Sequence, residues 1–171
     1  TRGKRREEMS CKFNGKISAE FTPPKTWVLE KALSFTVGME HGITDDDMDT
    51  LQEVGVNISN SGGERTNRIT CKKGMKTDLA SVPRIAWNVI APWDVARAAV
   101  IHDHMYAVLR EYYHSEDMSK LKWKRCRKLA DKIFLLGMKA ADPKVSKFKI
   151  YSAYWSVRLF GRWPASGEPN E

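Results

Sequence analysis

The sequence predicts an α+β fold, with an irregular antiparallel β portion in its first half packed on a three-helix second half. Three observations lead there. Residues 11–75 carry short alternating or β-branched runs broken by Pro and Gly, the pattern of a β-rich segment. Residues 76–163 carry apolar side chains at helical spacing instead. The 171 residues, 42% hydrophobic and 10% aromatic, suffice for a single domain with its own core over residues 11–163.

Each element follows from local chemistry. Residues 1–10 (TRGKRREEMS) read as a charged, solvated arm. Cys11–Ile17 and Ala32–Val37 read as strands separated by the Thr22-Pro23-Pro24 break. Residues 40–63 read as turn-rich, with an acidic cluster at Asp45, Asp46, Asp47 and Asp49 and an Asn60-Ser61-Gly62-Gly63 turn. Arg65–Lys72 alternates as a strand and ends at a Lys73-Gly74 turn. A short helix is predicted over Val82–Val89, after Ser81 as N-cap and with Pro83 in its first turn. Pro92-Trp93-Asp94 then opens a long helix to Tyr113, capped by Asp94. A second long helix spans Ser119–Ala141 and stops before Pro143. A third spans Ser146–Phe160, with Gly161 just beyond its end. Its rings (Phe148, Tyr151, Tyr154, Trp155, Phe160) are expected to close a core over the other two helices, with a docking surface for some of them as the alternative, and residues 164–171 form a Gly/Pro/Glu tail.

The net charge of +8, from 29 Lys and Arg against 21 Asp and Glu, favours an anionic surface or substrate as partner. Lys120, Lys124 and Lys128 form a stripe at i, i+4, i+8 that reads first as a solvated helix face. No sequence-specific nucleic-acid motif accompanies it. No apolar run reaches the roughly 18 residues of a membrane span. Cys11, Cys71 and Cys126 are odd in number and lack CxxC spacing, which argues against structural zinc and for reduced thiols. Asp45, Asp47 and Asp49 alternate like the start of an EF-hand loop, but Thr50 and Val56 stand where its Gly and closing Glu belong. His41 beside them gives a faint echo of metal-dependent phosphohydrolases.

The chemistry concentrates in Ile101-His102-Asp103-His104-Met105-Tyr106 and in Leu129-Ala130-Asp131-Lys132-Ile133-Phe134. An ionisable group on an apolar helix face is unfavourable unless paired. Adjacent helical residues diverge by about 100°, so His102 and Asp103 serve separate tasks. Asp131 shares a face with Phe134, Leu135 and Met138, and antiparallel packing of the two helices brings it level with His102. A carboxylate on one imidazole nitrogen fixes the tautomer and leaves the other to act as base. His102, Asp131 and Tyr106 are therefore the candidate catalytic residues, and Asp103 is a candidate ligand for a hard cation. The alternative is a polar network that locks two helices in register. Thr77, Asp78, Ser81 and Arg84 are candidate supporting residues, although an Asp turn into a Ser-capped helix is also ordinary fold chemistry.

Two resemblances rest on these residues. Thr77-Asp78-Leu79-Ala80-Ser81-Val82-Pro83-Arg84, His102-Asp103-x-x-Tyr106 and Ala130-Asp131-x-x-Phe134 with Met138 closely resemble the domain-of-unknown-function family numbered 1353, over roughly residues 65–160. That resemblance implies a phage or prophage origin, and with it a place in the virion or the host cytoplasm. Locally, the His102-Asp103-x-x-Tyr106 and Asp131-x-x-Phe134 pair is similar to the helix pair of secreted calcium-dependent phospholipases. This likeness implies His102 as the base that activates water, Asp103 as a calcium ligand and Asp131 as the group that orients His102. The chain departs from that pattern in lacking the flanking disulfide cysteines and an obvious glycine-rich calcium loop; residues 74–78 are the nearest substitute.

The expectation is thus a phage-associated protein with a phospholipase-like His/Asp hydrolase site for an ester, lipid or envelope-derived. The rival is a non-catalytic virion or tail component that assembles with other virion proteins. The two divide on His102: an open cleft at its second nitrogen goes with hydrolysis, an enclosed imidazole bonded at both nitrogens with a structural role.

Overall fold

Two antiparallel sheets back onto a layer of helices. The structure is a computed structural model that describes residues 11–24, 26–38, 41–78, 95–141 and 144–167. In chain order the described elements are β1 (Lys12–Phe13), β2 (Ala19–Thr22), β3 (Thr26–Leu29), β4 (Leu33–Thr36), α1 (Asp45–Glu53), β5 (Ile58–Ser61), β6 (Glu64–Cys71), β7 (Lys76–Thr77), α2 (Ala96–Tyr113), α3 (Lys120–Lys139), α4 (Lys147–Phe160) and α5 (Arg162–Ser166). One sheet has the order β1-β4-β6-β5 and the other β2-β3-β7. The α+β class read from the sequence is the one observed, and the strands sit in the predicted half.

The first sheet is held by long-range register. Phe35 of β4 faces Ile69 of β6 and Phe13 of β1, and all three lie at or beside the core. The β5–β6 hairpin turns on Gly62 and Gly63, with φ of 62° and 86°. Both values lie in the region a tight primed turn demands and a Cβ disfavours, so the predicted turn is placed correctly. The Thr22-Pro23-Pro24 break is also real, and it lies at the bend between β2 and β3.

Residues 40–63 depart from the turn-rich expectation, because Asp45–Glu53 is helical. A capping box starts it: Thr44 Oγ1 accepts from the Asp47 N–H at 3.2 Å, and Asp47 Oδ2 accepts from the Thr44 N–H at 3.0 Å. Asp45, Asp46 and Asp47 fill the first turn, where the helix dipole favours negative charge. Met48 and Leu51 bury the inner face. The outer face is tied down by arginines. Arg65 of β6 reaches Asp45 and Asp49, and Arg125 of α3 reaches Asp46 and Asp47. The acidic cluster is thereby a clamp between a strand and two helices.

The helical half follows the predicted bounds closely. Ser119 caps α3 and Ser146 caps α4, each accepting from the backbone N–H three residues on. The helix predicted over 82–89 and the Asp94 cap lie outside the described residues; α2 starts after Val95, which makes no side-chain cap bond. Lys120, Lys124 and Lys128 are exposed, as expected of a solvated face.

Two expectations for the C-terminal part need correction. Only Ile150, Ala153 and Val157 of α4 are buried, whereas Phe148, Tyr151, Trp155 and Phe160 are exposed. Those rings therefore do not build the core between the helices; small aliphatic side chains do, because α4 packs close against α3. Trp163 and Pro164 also belong to a helix rather than to a loose tail. Ala165 is buried, its carbonyl accepts from Trp123 Nε1 at 3.3 Å, and the Pro164 carbonyl accepts from Arg110 at 3.1 Å.

Candidate functional site

The site forms where α2, α3 and α4 meet. The inner face of α2 runs Ala98, Ile101, His102, Met105, Tyr106 and Leu109, all buried. Ala130, Asp131, Phe134 and Met138 line the facing side of α3. The two helices approach closely because Gly137 lies opposite Ala98; a Cβ at Gly137 would sit 3.0 Å from the Ala98 Cβ. The pairs Ala98–Gly137 and His102–Asp131 run in opposite senses along the chain, so the packing is antiparallel.

That packing joins the residues singled out from the sequence. His102 Nε2 lies 2.9 Å from Asp131 Oδ1, and the Tyr106 hydroxyl donates to the same oxygen at 2.6 Å. All three side chains are fully buried. The His102 ring stacks at 4.1 Å from Tyr106 and 4.8 Å from Phe134, between centroids. Arg158 of α4 completes the set, donating from Nη1 to Asp131 Oδ2 at 2.6 Å. One carboxylate on α3 thus meets partners from two other helices, α2 and α4.

Electrostatics fix the charge states. Burial pushes the Asp131 carboxyl up, but the His102 bond and charge, then Tyr106 and Arg158, outweigh it and hold the group below the ordinary carboxylate value. Burial and the neighbouring Asp131 charge raise the Tyr106 phenol well above its usual value, so it stays protonated and donates. Asp131 is therefore an anion held by hydrogen bonds on both oxygens.

Asp103 stands apart from this group. It is buried on the neighbouring face of α2, and the Thr77 hydroxyl of β7 donates to its Oδ2. Thr77 thus supports Asp103 rather than the His102–Asp131 pair. Asp78 is half-buried just beyond β7, and Ser81 and Arg84 lie outside the described residues. Calcium takes about six to eight oxygen ligands. No group of three or more His, Cys, Asp or Glu side chains is gathered among the described residues, so these do not make up such a set around Asp103.

Sequence reasoning missed two participants. Arg158 is one; its signal is a lone cation inside the apolar run Tyr154–Phe160. His104 is the other. Its Nε2 accepts from the Asn57 N–H at 3.2 Å, linking α2 to the strand layer. Burial, aided by the Lys72 charge, lowers its pKa to about 4, so it is neutral near pH 7. Cys71 is buried beneath α2, and burial together with the Asp103 charge pushes its thiol up to about 12. Such a thiol is no nucleophile. Cys11, Cys71 and Cys126 are all free thiols.

These features define an α+β protein with an enclosed His–Asp–Tyr–Arg network between antiparallel helices. The family model described as "Protein of unknown function (DUF1353)" matches residues 56–157, more than half of the chain, and the chain belongs to that family. No curated protein and no solved structure matches it. No helix among the described residues is long and apolar enough to cross a membrane.

Proposed function

We propose that this chain is a phage-associated hydrolase that cleaves an ester of lipid or envelope origin, with His102 as general base. One observation carries the reading: Asp131 Oδ1 engages His102 Nε2 at 2.9 Å. An ionised carboxylate there fixes the orientation of the imidazole that acts as base. His102 takes a proton from water, the hydroxide attacks the ester carbonyl, and the imidazolium returns the proton to the leaving alkoxide. Asp131 stabilises the imidazolium. Tyr106 and Arg158 are positioning residues that keep the carboxylate from rotating.

A second reading is supported by a different observation. His102, Tyr106 and Asp131 are fully buried, as befits a network that locks three helices in register within a virion or tail component. Hydrolysis of an ester panel and of phospholipid vesicles, with calcium or with chelator, separates the two. Loss of turnover in His102→Ala, with folding retained, supports the hydrolase. Absence of wild-type turnover across the panel sinks it and leaves the assembly role.

A further inference from the structure

Helix α4 is apolar on two opposite sides. At about 100° per residue, Ile150, Ala153 and Val157 share the side that packs into the core. Phe148, Tyr151, Trp155 and Leu159 share an arc of about 80° on the far side. Their exposures are 75%, 41%, 57% and 66%, and Trp163 of α5 adds another ring at 69%. A soluble helix ordinarily turns polar residues outward, so a second apolar stripe of this size marks a surface with a partner.

Charge identifies the partner. Residues 144–167 contain Lys144, Lys147, Lys149, Arg158 and Arg162 but no Asp or Glu. Lys144, Lys147 and Arg162 are exposed, and Lys139 of α3 leans over the Tyr151 ring, 5.1 Å from its centroid. A second copy of this chain fits poorly, because a two-fold interface along α4 would set Lys144, Lys147 and Arg162 against their own copies, and residues 144–167 hold no Asp or Glu to offset them. Trp and Tyr rings flanked by Lys and Arg match the headgroup zone of a bilayer, where rings enter the acyl boundary and cations reach lipid phosphates.

We infer that α4 is an interfacial helix that seats the protein on an anionic lipid bilayer, with Phe148, Tyr151, Trp155 and Leu159 entering the headgroup region and Lys144, Lys147 and Arg162 facing phosphate. This role stands independently of hydrolysis at His102, since none of these side chains belongs to the buried network. It calls for no spanning segment, and no helix among the described residues is long and apolar enough to cross.

The test is flotation of the full chain with vesicles of diether phosphatidylglycerol, which carry no carboxylic ester to cleave, against vesicles of diether phosphatidylcholine. The protein floats with the anionic vesicles and only weakly with the zwitterionic ones, and salt weakens the binding. Trp155→Ser with Leu159→Ser reduces binding by roughly tenfold, and Lys147→Glu with Arg162→Glu removes the preference for anionic lipid. Failure of the wild type to float overturns the inference. So does a double variant that floats as well as wild type, or one that instead turns a dimer into a monomer. Should the apolar double variant not fold, brominated acyl chains read the same contact. Quenching of wild-type Trp fluorescence supports it, and its absence overturns it.

Discussion

Arg158 donates to Asp131 Oδ2 across 2.6 Å, from a guanidinium that stays partly in solvent to a carboxylate that is fully enclosed. The other oxygen is taken by His102 and Tyr106. The anion thus meets the guanidinium on one side and the imidazole and phenol on the other. Removing its charge leaves Arg158 without a counter-ion and an amide where only an acceptor fits. Asp131→Asn is expected to lower stability by about 3 kcal/mol in urea denaturation. An unchanged midpoint would show that the network contributes little to folding.

Gly161 makes a separate demand on the same place. Its φ of −70° is ordinary, so the requirement is space. A Cβ there would collide with the Val157 carbonyl and the Tyr106 hydroxyl. Gly161→Ala is expected to cost about 2 kcal/mol. It should also displace Tyr106 from Asp131, visible as a changed Tyr signal in near-ultraviolet circular dichroism.

Acid should act in two windows. Burial lowers the folded pKa of His104 to about 4. The unfolded chain binds this proton from about pH 6.5 downwards, so stability falls between there and pH 4, by roughly 3 kcal/mol. Asp131 acts lower. Its depressed folded value gives stability that is complete above the ordinary carboxylate range and is lost as pH falls through that lower value. Urea midpoints between pH 7 and pH 4.5 check the first window. His104→Gln, which keeps an acceptor for Asn57, should flatten it and leave the second in place.

The capping box of α1 can be tested alone. Thr44→Ala removes the acceptor for the Asp47 N–H and should destabilise by about 1 kcal/mol. If the arginine clamps carry α1 unaided, the thermal midpoint will not move.

The helices of the second half were legible because their apolar spacing and the stop at Pro143 agree. The His102–Asp131 contact was legible for a related reason: two ionisable groups on apolar faces of consecutive helices must meet or be unpaired. Helix α1 was not, since four aspartates in five residues resemble a solvated turn until Arg65 and Arg125 approach from distant strands and helices. The outward rings of α4 were misread because both of its sides are apolar, and periodicity alone cannot say which one faces the core. Arg158 stayed hidden because its partner lies 27 residues upstream, on a helix whose docking the pattern does not encode.

The placement of Arg158 also has a bearing on synthesis. A ribosome finishes the segment bearing Asp131 before it delivers the arginine, and at about 5–20 residues per second the delay is on the order of seconds. During that interval α2 and α3 can meet, yet the charge between them has no cation from α4. A nascent chain interrupted before α4 therefore carries its imidazole and carboxylate without the brace that finishes them.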